Sequence, residues 1–210
     1  MENGMELALA ALVGLALSAA CGFRVFVPPL VISIAAQAGS LELAEGFDWI
    51  ATPAATIAFA VATALEVGGY FVPWLDNALD VLSVPAAGVA GTVLTASMVT
   101  DVSPFLQWSL AVVAGGGSAT TVSAGMALLR GKSTVLTLGL ANPVVSLLEA
   151  VAAGTVSVLA AFAPLLAALL AVSLALGVVV LLRRRADRRD AAEDGASIKG
   201  GPFKGKMGMV

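Results

Sequence analysis

The sequence predicts an all-α fold, a polytopic membrane bundle of about six spanning helices, and three observations carry that expectation. Of its 210 residues 59% are hydrophobic and only 12% charged, with a mean hydropathy of +0.98, far from the composition of a water-soluble domain. No lysine or arginine occurs between Arg24 and Arg130. The uncharged runs 81–100, 102–129 and 150–182 each reach the roughly 20 residues that cross hydrocarbon. The polar and apolar alternation of a barrel is missing, so a spanning backbone must satisfy its hydrogen bonds within helices.

Six hydrophobic units follow in order: 7–38, 53–72, 84–100, 105–130, 143–162 and 164–182. Thr52-Pro53 and Asn142-Pro143 read as helix starts, because a capping side chain precedes a proline whose missing N–H costs nothing in the first turn. Between the units, "SLELAEGFDW" (40–49) reads as an acidic loop, and "PWLDNALDVL" (73–82) as a short interfacial piece anchored by Trp74. Residues 1–182 form one transmembrane domain. Residues 183–210, with Arg183, Arg184, Arg185, Arg188 and Arg189 at their start, form a basic, flexible tail.

Basic residues near membrane ends favour the cytoplasm, so the tail and the Arg130–Lys132 turn are expected inside and the 40–49 loop outside. Six spans then put both termini in the cytoplasm of a bacterial inner-membrane protein. A cleaved leader is not expected, because Glu2 and Glu6 stand where a signal peptide carries positive charge. Segments 51–73 and 141–164 share an A-x-P start and a terminal proline, which suggests half-repeats over 7–100 and 105–182. With three spans in each, the halves would be inverted, as in many transporters.

The absence of histidine excludes histidine metal sites and serine–histidine hydrolysis, and the single Cys21 excludes an intrachain disulfide. No metal, cofactor or enzymatic activity is expected. "RGKST" (130–134) resembles the end of a phosphate-binding loop, but Met126 stands where the first glycine belongs and no strand precedes it. Nucleic-acid binding is likewise unsupported, since most basic residues lie in the tail and aromatic residues are few. The expected partner is the lipid bilayer, with a second copy or a membrane-complex subunit left open.

The candidate site centres on "ACGFRVFVPPL" (20–30). An arginine inside a bilayer costs about 2.5–3.5 kcal/mol on insertion scales, so Arg24 should face protein or water and have a partner. Gly22, Pro28 and Pro29 interrupt the helix around it and should free the carbonyls near Arg24 and Val25. Glu66 and Glu149 are the matching carboxylates. Which of them pairs with Arg24 depends on where the helix carrying Glu149 begins, near Pro143 or near Ser133. "AGGGSATT" (114–121), with Gly116 and Ser118, is either a second interruption or a close helix contact.

These segments, with Glu66 followed by "VPWLDNALD" and with "ANPVVSLLEA", resemble the bacterial membrane family called domain of unknown function 4126 over residues 8–180. The resemblance implies that Gly22, Arg24, Pro29, Glu66, Pro73, Asp76, Asp80, Asn142, Pro143, Ser146 and Glu149 occupy family positions. Tyr70 and Phe71 stand where members carry an aspartate–lysine pair, so no basic group is implied there. The family implies topology without an activity. From the residues, the leading expectation is a small transporter or channel-like protein. In it Arg24 would attract an anionic solute or lipid headgroup, and Glu66 and Glu149 would balance its charge and accept a coupling proton. The alternative is a scaffold or accessory subunit that transports nothing.

Overall fold

The computed structural model describes the backbone of residues 2–69, 73–100, 102–137 and 142–163, and scattered positions from 165 to 180. The sixth hydrophobic unit therefore lies largely, and the tail wholly, outside the described residues. Within them the chain is all-helical: α1 (Glu2–Phe23), α2 (Val27–Gln37), α3 (Pro53–Gly69), α4 (Pro73–Met98), α5 (Pro104–Leu110), α6 (Gly117–Thr137) and α7 (Asn142–Phe162). A π-helical segment, Ala111–Gly116, joins α5 to α6, and a short 3₁₀ turn, Asp48–Ala51, precedes α3. Among the described residues three stretches are long and apolar enough to cross a membrane: Val81–Met98, Pro104–Arg130 and Val144–Phe162.

Local chemistry explains the boundaries. Thr52 caps α3 by accepting from the Ala55 N–H, and Ser103 caps α5 ahead of Pro104. α2 ends where Gly39, at φ +71°, lets the Gly39 and Ser40 N–H groups turn back to the Ala36 and Ala35 carbonyls. Pro85 lies inside α4, so the expected interfacial piece 73–82 and the helix after it form one rod. Inside a membrane bundle, neighbouring groups re-satisfy the carbonyl that a proline leaves, so the helix continues.

Contacts between helices fix their directions. Gly14 and Ser18 of α1 meet Thr95 and Gly91 of α4, so α1 and α4 are antiparallel. Gly88 and Gly91 of α4 meet Thr120 and Ala119 of α6, so these two are also antiparallel. α1 and α6 therefore run the same way, whereas an inverted pairing of 7–100 with 105–182 would oppose them. The stretch 7–38 accounts for the difference. It is a hairpin rather than one crossing, because α2 returns toward the start of α1 and the Ala44 N–H reaches the Ser97 carbonyl at 2.8 Å. Glu2 and Arg130 thus lie at opposite ends of the bundle.

Small residues let α1, α4 and α6 approach closely, as membrane interfaces require. A methyl added at Gly88 would come 2.6 Å from the Thr120 Oγ1 and 3.8 Å from the nearest backbone atom. Gly88→Ala should therefore lower thermal stability in detergent by about 1–3 kcal/mol through overpacking, and Thr120→Ala in the same chain should restore most of it. The double-mutant melting curve checks both statements.

Candidate functional site

α1 ends at Phe23, and the next three residues reverse the chain into α2. The four leading N–H groups of a helix have no partner within it. Pro28 and Pro29 dispose of two of these, since they sit in the first turn of α2 and have none to offer. Glu66, at the far end of α3, takes care of the turn itself: its carboxylate accepts from the Val25 N–H at 2.8 Å and the Phe26 N–H at 3.1 Å. An anion at the start of a helix also meets the positive end of its dipole. The prolines therefore begin a helix rather than break one, and the groups needing partners are N–H donors instead of the expected carbonyls.

Arg24 extends from this turn to α7. Its Nη2 donates to the Ser146 carbonyl at 2.9 Å and to the Ser146 Oγ, and it lies 3.2 Å from the Glu149 Oε2. Glu149 also receives Arg130, whose Nε donates to Oε1 at 3.1 Å and whose Nη2 meets Oε2. Side-chain exposure is 0% for Arg24, 2% for Glu149 and 4% for Arg130, so the cluster is sealed. Glu66, itself buried, adds a second carboxylate to the charged groups gathered here. Burial of this kind is tolerated only when each charge is paired and hydrogen-bonded.

Glu149 pairs with Arg24 although α7 begins at Asn142. The pairing does not need a helix start near Ser133, because the end of α1 and the start of α7 lie at the same end of the bundle. Among the described residues the site thus gathers Arg24, Glu66, Ser146 and Glu149, with Gly22, Pro28 and Pro29 shaping the turn. Gly22 admits α6 closely: a methyl there would lie 2.5 Å from the Val122 Cβ and 2.8 Å from the Ala119 carbonyl. Gly116 and Ser118 are not part of it. Gly116 packs on α4 beside Thr92, and the Ser118 hydroxyl donates back to the Gly115 carbonyl. Asp76, Asp80 and Asn142 fall on α4 and α7, but their side chains lie outside the described residues.

Arg130 is the residue that sequence reading missed. Next to Gly131 and Lys132 it looked like a loop marker, yet it belongs to α6 and points into the protein. The signal was available in the uncharged run that leads directly into it. Beside the cluster lies a cavity of about 10 Å³, lined by Cys21, Glu66, Ser83, Ser123 and Arg130 among others. That is about the space of a single water. No group of three or more potential metal ligands occurs among the described residues.

Apolar helices of spanning length around a buried cluster of paired charges define a multi-helix membrane protein. The family model described as "Domain of unknown function (DUF4126)" matches residues 11–184, and the chain belongs to that family. Neither the curated proteins nor the solved structures contain a match.

Proposed function

We propose that the protein is a membrane scaffold or accessory subunit in which the Arg24–Glu149–Arg130 cluster locks the helices together. The observation that carries this reading is the closure of the site: the charged side chains are almost wholly buried, and the adjoining space is the size of one water. A carrier needs a cavity that admits its substrate, whereas a lock is stronger without one. The Arg24 end faces the cytoplasm in this reading, since Arg130 and Lys132 lie toward that end and the acidic 40–49 loop at the other. The bilayer is the bacterial inner membrane, and the start of α1 then lies on its outer side.

One observation favours the transport reading as a second choice. The α1–α2 turn is held by the Glu66 carboxylate, and a proton on that group would take away acceptor capacity from the Val25 and Phe26 N–H groups. A proton-coupled opening of the hairpin is the motion a carrier would use.

Cys21, the only cysteine, decides between them because it is fully buried and lines the small cavity. In intact membranes, a water-soluble methanethiosulfonate reagent should leave Cys21 unmodified from pH 5 to pH 8, while the denatured chain reacts fully. Modification in either vesicle orientation at any pH in that range would refute the lock and support a carrier.

A further inference from the structure

α3 stands away from α4 along much of its length, and the gap is an apolar groove of about 360 Å³. Phe26 and Pro29 form its inner end, Phe59 and Val89 its sides, and Trp49 and Ile50 its far end. Val89 belongs to the spanning stretch Val81–Met98 and is exposed, so the groove opens sideways at hydrocarbon depth. Trp49 is half-exposed and packs toward Phe59, with ring centroids 6.2 Å apart. A tryptophan so placed, with an apolar body inward and a wet edge, marks the membrane–water interface.

Asp48 directly precedes Trp49 in the same 3₁₀ turn, and Glu42 and Glu45 lie in the loop that leads into it. All three are exposed, and no lysine or arginine occurs in the sequence from residue 25 to residue 129. An apolar slot that ends at an aromatic anchor next to exposed carboxylates suits a molecule with a hydrocarbon tail and a cationic head. We infer that the groove between α3 and α4 binds a membrane lipid whose headgroup presents an ammonium, with its tail running from Trp49 toward Phe26 and its head at Glu45 and Asp48. The inference rests on the membrane location alone and stands whether or not the charged cluster ever opens.

The test compares phosphatidylethanolamine with phosphatidylglycerol, added to the delipidated full-length protein in detergent and followed by native mass spectrometry. Retention of one phosphatidylethanolamine, at least threefold above phosphatidylglycerol, is the expected result. Ala90→Phe, which fills the groove, should abolish retention, and Glu45→Gln with Asp48→Asn should erase the preference while leaving the tail bound. Glu45 and Asp48 are exposed and Ala90 is partly buried against the core, and unaltered Cys21 protection confirms that both variants fold. Equal retention of the two lipids, retention unaffected by Ala90→Phe, or a dimer that Ala90→Phe dissociates would each overturn the inference, the last by assigning the groove to a second copy.

Discussion

Glu149→Ala should be the most damaging single substitution in the protein. It removes the carboxylate that both Arg24 and Arg130 face, leaving two guanidinium groups close together in a space from which water is excluded. Truncating one partner of a buried ion pair typically costs about 3–5 kcal/mol, because the remaining charge keeps its desolvation penalty and loses its compensation. Because both arginines meet this carboxylate, the loss falls on two buried groups at once, which puts the cost toward the upper end of that range. The expected outcome is a sharp fall in membrane yield and loss of a monodisperse peak in detergent. Neutralising a cation as well should recover part of the loss, so Arg24→Met combined with Glu149→Gln should melt above Glu149→Ala. If Glu149→Ala melts with the wild type, the lock does not exist.

Glu66→Ala should come second, and it should act locally. Each hydrogen bond to a charged acceptor contributes about 1.5–3 kcal/mol, and Glu66 holds two backbone donors of the α1–α2 turn. Without it the Val25 and Phe26 N–H groups lose their acceptor, and the hairpin should loosen while α4, α6 and α7 keep their packing. Hydrogen exchange checks this directly: the amides of Val25, Phe26, Val27 and Leu30 should exchange at least tenfold faster, while those of 88–96 remain unchanged. Glu66→Gln should fall between, since its amide offers one oxygen where the carboxylate offers two. Uniformly faster exchange across all the helices would show that Glu66 supports the whole bundle rather than the turn.

Helix starts were legible in the sequence because they are local. Thr52-Pro53 and Asn142-Pro143 each hold their own signal within two residues, and α3 and α7 begin there. The charged centre was legible in part, since any arginine or glutamate in an apolar run must find a partner. Its pairing was not, because that depends on which ends of α1 and α7 coincide. The reversal at Arg24–Phe26 is set by Glu66, about 40 residues away, and no local pattern separates it from an interrupted span. The 114–121 glycines posed a similar ambiguity. The same residues that could have opened a binding site serve the contact with α4, and only the neighbouring helix decides between the two uses.

The order of synthesis gives the Arg24–Ser146 contact a further consequence. The two residues are 122 positions apart, so at roughly 5–20 residues per second Arg24 leaves the ribosome about 6–24 seconds before Ser146 exists. For that interval the new hairpin must hold a cation in or near the bilayer without Glu149, its later counterion. An arginine directly after the last residue of α1 can extend its flexible stem toward the headgroups while it waits. Arg24 therefore stands where a nascent chain can tolerate it, and α7 draws it inward only once Ser146 and Glu149 have been made.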